Sequence, residues 1–255
     1  MAQHAIERST EFDAFLQTLC GLPAAAATAC DAWTVHDLVA HLAGCFEEVN
    51  RHLDAYLAHA PLMDTRGFAE REAEFVKLPH QDLLDSLNGH EADFRDKLAS
   101  VLDREPNATM RWTGRQMRAS SFLTHLRSEC ALHRWDMAGD DATSTELLGQ
   151  YELLEHAVSA IGAKPMTARG LTGETPSSWH GRVASPGHPD LLVDVDGGGT
   201  PALSLVPSAG EPDIVADQAA RLLMCWGRTP QPATRLVIGA DRVAADRVRQ
   251  LLAGY

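Results

Sequence analysis

Apolar residues recur at helical spacing through most of the first 160 positions. Phe12, Phe15, Leu16 and Leu19 share one side of a segment over about residues 3–20, which Gly21-Leu22-Pro23 ends. Leu38, His41, Leu42, Cys45, Val49, Leu53 and Tyr56 mark a second helix. It opens with Thr34 and, three positions on, Asp37, a capping box with Asp in the acidic place. Leu84, Leu87, Phe94, Leu98, Val101 and Leu102 predict a third helix over about 81–103, broken at Glu105-Pro106-Asn107. A long run from about Met117 to Ala138 carries Phe122, Leu126, Cys130, Leu132 and Met137 and stops at Gly139-Asp140-Asp141. Residues 144–161 read as one further helix, residues 109–113 as a short extended lead-in, and residues 61–76 as loop. Four long helices of this kind predict a bundle.

After Gly162 the pattern changes period. Residues 166–189 are rich in Gly, Pro, Ser and Thr. Strands are predicted at residues 191–195, 202–206, 214–216 and 235–239, with Gly197-Gly198-Gly199 as a hairpin turn between the first two. Helices are predicted over about 219–226 and 241–252. The expected fold class is therefore α plus α+β: a helical bundle over residues 1–162 and a smaller α+β domain over residues 163–255.

Three polar residues break the apolar stripes of the bundle. Phe122, Leu126, Glu129, His133 and Met137 follow one helix face, and His41 sits in the stripe of the second helix. A buried carboxylate without a partner costs several kcal/mol or a neutralising pKa shift. A divalent metal would compensate it, since two imidazoles and one carboxylate form a zinc set that leaves a position open. The competing reading is a hydrogen-bonded core histidine, and spacing alone does not separate the two. Asp136, three after His133, is a candidate to hold the other nitrogen of that ring. His125 is expected on the helix surface, as are His36 and His52. Cys45 and Cys130 are expected to be small buried hydrophobes, and Trp33 and Trp135 to be packing residues.

Composition narrows the partners. A formal charge of −13 argues against nucleic acid, whose phosphates need a basic surface. There is no apolar run long enough for a membrane span and no signal-peptide pattern at the start. Five cysteines without a C-x-x-C pair fit reduced thiols and a cytoplasmic location. Phosphate-binding loops, G-x-S-x-G and dinucleotide fingerprints are absent.

The segment Trp33-Thr34-Val35-His36-Asp37-Leu38-Val39-Ala40-His41-Leu42 resembles the W-[ST]-x-x-[DE]-L-x-x-H-L signature of the mycothiol-dependent maleylpyruvate isomerase family, within the DinB-like group. Glu129-Cys130-Ala131-Leu132-His133-Arg134-Trp135-Asp136 resembles that family's E-x-x-x-H-x-x-D signature, in the same order along the chain. The resemblance implies a DinB-like metal-binding bundle followed by a C-terminal domain similar to sterol carrier proteins. It implies His41, Glu129 and His133 as ligands of a divalent metal, usually zinc, and mycothiol as co-substrate. A thiol entering the open metal position would be deprotonated and could attack a small electrophile such as maleylpyruvate. The product would be an isomer if the thiol leaves and an adduct if it stays.

Two other functions fit the same residues. One is a metal-dependent hydrolase using bound hydroxide. The other is a non-catalytic metal-binding or regulatory module, although a structural zinc site would ask for four protein ligands where three are evident. The second domain is expected to close one side of the metal pocket. Arg228 is its candidate for a substrate carboxylate, against the alternative that it caps the end of its own helix.

Overall fold

Capping and turn chemistry, more than apolar period, decide where the elements begin. The structure, a computed structural model, describes residues 5–61, 63–162, 178–195, 201–232 and 235–252. The chain divides into two compact units, Met1–Gly139 and Asp140–Tyr255. The break therefore follows Gly139, and the two helices after it belong to the second unit, not to a bundle extending to residue 162.

In the first unit α1 (Thr10–Leu19), α2 (Val35–Leu57), α4 (His80–Arg104) and α5 (Ser121–Ala138) are the long helices. Helix α2 packs on α4 and α5, and α1 packs on α5. Phe46 of α2 links α1 and α4 through edge-on rings, 5.6 Å from Phe12 and 5.7 Å from Phe94. The expected capping box is present at the start of α2: Thr34 accepts from the Asp37 amide, and Asp37 accepts from the Thr34 amide at 2.8 Å. Helix α1 starts later than expected because Ser9 caps it, accepting from the Phe12 amide at 3.2 Å.

Helix α5 also starts later. Met117 belongs to β2 (Arg115–Arg118), which pairs antiparallel with β1 (Thr109–Trp112). Thr113 and Gly114 between them have φ of 46° and 80°, the left-handed pair that a two-residue hairpin requires. Met110, Trp112 and Met117 turn inward from this hairpin, and Trp112 packs on Phe122 at 5.2 Å. The stretch expected to be loop contains α3 (Phe68–Glu72) and a 3-10 turn at Phe75–Lys77. Gly44 allows α3 its seat on α2: a Cβ there would stand 3.1 Å from the Arg71 carbonyl oxygen.

The second unit has α6 (Ala142–Leu148), α7 (Tyr151–Gly162), α8 (Gln218–Cys225) and α9 (Arg242–Leu252) with a five-stranded sheet. The single helix expected over 144–161 is split between α6 and α7. The strands are β3 (Trp179–Ala184), β4 (Asp190–Val195), β5 (Pro201–Val206), β6 (Ile214–Ala216) and β7 (Leu236–Ile238), in the order β5-β4-β3-β6-β7. Only β3 and β6 run parallel. The central strand β3 was not expected, because it carries Gly181. That glycine is required: a Cβ would meet the Trp179 ring at 2.4 Å and Val248 of α9 at 2.5 Å. The Gly197-Gly198-Gly199 turn lies outside the described residues. Among the described residues no helix is long and apolar enough to cross a membrane.

Glu48 fastens the strap that leads into α3. It is fully buried, accepts from Arg51 at 2.6 Å, and takes the Arg66 backbone and side chain at 2.9 and 2.6 Å. Burial alone would raise its carboxyl, but the bonds from His52, Arg51 and Arg66 hold it far below the ordinary range. A depressed folded pKa adds stability above the unfolded value near 4.5, and that stability is lost as pH falls below it. Glu48→Gln should therefore lower unfolding stability near pH 7 by about 2–4 kcal/mol, with the gap narrowing progressively as pH falls below 4.5. Urea titrations of both proteins across that range test this, and a gap independent of pH would refute it.

Candidate metal centre

His41 lies two turns inside α2, so the capping box that starts the helix also fixes which way this residue faces. Glu129 and His133 are one turn apart on α5. All three meet in the bundle interior. His41 Nε2 is 3.4 Å and His133 Nε2 3.5 Å from the same oxygen of Glu129. The two imidazole rings are edge-on with centroids 4.8 Å apart.

The far nitrogen of each ring is held. Glu72 of α3 meets His41 Nδ1 at 2.7 Å, and Asp136 meets His133 Nδ1 at 2.8 Å. Each Nδ1 can thus donate to a carboxylate, which leaves each Nε2 lone pair directed toward Glu129. Asp136 also accepts from the Cys30 thiol at 3.1 Å, and the Ala29 amide donates to its backbone carbonyl at 2.7 Å. These bonds bind the loop before α2 to α5. Trp33 at the end of that loop covers both histidines, with ring centroids 5.1 Å from His41 and 6.1 Å from His133. Phe68 covers His41 from another side at 5.5 Å.

The spacing of the donors suits a metal. A tetrahedral ion with bonds of about 2.0–2.2 Å to nitrogen and oxygen places its ligand atoms about 3.3–3.6 Å apart. Donor atoms of His41, Cys45 and Glu129 all lie within 4.8 Å of one another, as do those of Cys30, His133 and Asp136. The two sets join through the 3.5 Å approach of His133 Nε2 to Glu129. Cys30 and Asp136 face the Nδ1 side of His133, so they support the ring instead of extending the centre.

Taken as protein groups alone, these side chains form an ion-pair cluster. Burial works against a charged His41, but Cys45, Glu129 and Glu72 outweigh it and hold the imidazole well above its ordinary pKa. Burial would raise Glu129, yet the two histidines bring its carboxyl well below the usual range. The cluster thus keeps a carboxylate ionised inside the core and supplies positive charge to it. A proton on His41 or a metal ion can fill that role, and the two compete.

The structure brings together the three residues expected as ligands and puts Asp136 on His133. It corrects other expectations. His125 is buried, edge-on to Trp112 with ring centroids 5.5 Å apart, and its pKa is lowered mainly by burial. His52 is buried too, between Glu48 and Trp112. His36 is half-buried and meets His80 at 3.1 Å. Arg228, in the second unit, donates to the Trp226 carbonyl at the end of α8 at 3.1 Å. Glu72 and Cys30 were missed. Neither has a sequence signal: the first lies in a short helix among charges and the second in an alanine-rich loop.

The family described as mycothiol maleylpyruvate isomerase N-terminal domain matches residues 7–138, more than half of the chain. Two solved structures share the fold. One is a histidine-to-alanine mutant of mycothiol-dependent maleylpyruvate isomerase, 15% identical, with TM-score 0.57 over 89% of this chain and 88% of that one. The other is mycothiol-dependent maleylpyruvate isomerase, 16% identical, with TM-score 0.53 over 87% of this chain and 86% of that one. No curated protein matches.

Asp136 is the most heavily used of the supporting groups. Asp136→Ala should lower the stability of metal-free protein by about 1–3 kcal/mol, because His133 Nδ1 and Cys30 lose a buried acceptor. Cys30→Ala should cost less, since a thiol is a weak donor. Denaturant unfolding of the two variants tests the order, and equal costs would show that the His133 contact carries little.

Proposed function

We propose, from the premise that the chain belongs to the mycothiol maleylpyruvate isomerase N-terminal domain family, that it is a metal-dependent enzyme using mycothiol on a small electrophile. The observation that carries this reading is the approach of two Nε2 atoms to one Glu129 oxygen at 3.4 and 3.5 Å, each imidazole being held from behind by a carboxylate. His41, Glu129 and His133 hold the ion, and zinc is the metal we favour for two imidazoles and a carboxylate. When bound, the ion supplies the positive charge that turns a thiol into a thiolate at neutral pH.

The chain's own groups do the rest. Glu72 and Asp136 fix the tautomer and direction of the two imidazoles, so the donors need no reorganisation. Trp33 and Phe68 form apolar walls beside His41 and keep water from part of the site. Three protein ligands leave room for an exogenous thiol, and the thiolate adds to a conjugated electrophile. Loss of the thiol after rotation gives isomerisation, and retention gives transfer. Maleylpyruvate is one such electrophile. The five cysteines are all free, which suits the reducing cytoplasm where a low-molecular-weight thiol is kept reduced.

The decisive experiment loads the full chain with zinc and supplies mycothiol and a panel of electrophiles, including maleylpyruvate. Adducts and isomers are followed by mass spectrometry and chromatography. Turnover should require both metal and thiol. His133→Ala should lose metal and thiol-dependent turnover together while keeping its helical circular dichroism. Metal-dependent turnover of ester or amide substrates without thiol would point to a hydrolase instead. Equal metal content in wild type and His133→Ala would remove His133 from the ligand set.

A further inference from the structure

The metal centre has a neighbour outside its three-residue set. Cys45 lies one turn after His41 on α2, buried, with its sulfur 3.5 Å from His41 Nε2. A metal bonded to sulfur at about 2.3 Å and to imidazole at about 2.0–2.1 Å separates those two atoms by about 3.5–3.6 Å. The sulfur therefore stands where a fourth ligand would.

A second observation concerns Arg71. It is 5% exposed, and its Nε has no hydrogen-bond partner. Its NH1 approaches the Cys45 sulfur at 3.8 Å, and its guanidinium lies over the rings of Phe68 and Trp112 at 4.6 and 5.8 Å. Among the described residues no carboxylate pairs with it. A buried guanidinium needs a counter-charge, and metal binding would make the Cys45 sulfur beside it anionic.

We propose that Cys45 is a fourth protein ligand of the metal, bound as thiolate and paired with the Arg71 guanidinium. This rests on the metal reading of His41, Glu129 and His133. Binding releases the Cys45 proton to solvent and forms one sulfur–metal bond, with no change of oxidation state. The resulting set is two imidazoles, one carboxylate and one thiolate.

Cobalt(II) loading of the full chain tests this without any substrate. Wild type should show a sulfur-to-cobalt charge-transfer band in the near ultraviolet. Cys45→Ala and Cys45→Ser should lose it and bind metal at least about tenfold more weakly, the scale on which even an outer partner of a ligand acts. Cys30→Ala should keep the band, because Cys30 serves Asp136. A wild-type protein that binds cobalt in a His133-dependent way but has no band overturns the role of Cys45 and leaves the three-ligand reading standing. A band that survives Cys45→Ala, or is lost in Cys30→Ala, overturns it as well. A wild-type protein that takes up no cobalt overturns the metal reading and this inference with it. If Cys45→Ala does not fold, the wild-type and Cys30→Ala spectra still decide.

Discussion

The charge of Glu129 is the constraint on which the first unit depends. Its carboxylate faces the interior of a bundle whose neighbouring positions are Phe122, Leu126 and Cys130, all buried. An ionised carboxylate in such a place is tolerated only beside positive charge with its lone pairs engaged. Two imidazoles supply the engagement, and each needs its own anchor to point the right way. The anchors come from separate places: Asp136 from the same helix as His133, and Glu72 from a short helix inserted between α2 and α4. The helical geometry of α5 alone would orient one histidine. Orienting the other requires α3 to be held in position, and that follows from Gly44 on α2 and from Glu48 gripping Arg66 at the head of the strap.

Much of this was legible in the sequence for a simple reason. Helical period exposes a polar residue in an apolar stripe, and His41, Glu129 and His133 are such residues. Capping chemistry is equally local, so Thr34 and Asp37 could be read with certainty of type. What the sequence hid depends on close approach or on non-local bonds. Gly181 looks like a loop residue, and its missing side chain leaves the space that Val248 of α9 and the Trp179 ring occupy. Met117 has helical-looking neighbours, but Thr113-Gly114 folds it back into a hairpin. His125 and His52 look like surface charges until Trp112 is placed against both. Glu72 reads as one charge among several in Glu70-Arg71-Glu72, and only its 2.7 Å bond to His41 distinguishes it.

The two buried histidines that stay outside the cluster help to define it. His52 is tied to Glu48, and burial lowers the pKa of His125 although the Glu129 charge pulls it the other way. Three aromatic side chains divide the space accordingly: Trp112 shields His52 and His125, while Trp33 and Phe68 border His41. Arg71 touches both groups, its guanidinium lying over the rings of Phe68 and Trp112.

Charge balance then limits what can enter the site. A divalent ion with two neutral imidazoles and Glu129 carries one net positive charge, and an added thiolate brings the centre to neutrality, the favourable state in a low-dielectric interior. With Cys45 as resident thiolate the centre is already neutral, and a second thiolate would leave it negative apart from the Arg71 charge nearby. If Cys45 is a ligand, an exogenous thiol would replace it with no net change of charge, its proton balancing the one the Cys45 sulfur gave up, and Cys45 would then stand as a neutral thiol beside His41. A water on the same ion would be acidified to a pKa near 7, so net charge alone does not separate thiol from water, and the affinity of zinc for the softer sulfur donor is what would tip the centre toward a thiol.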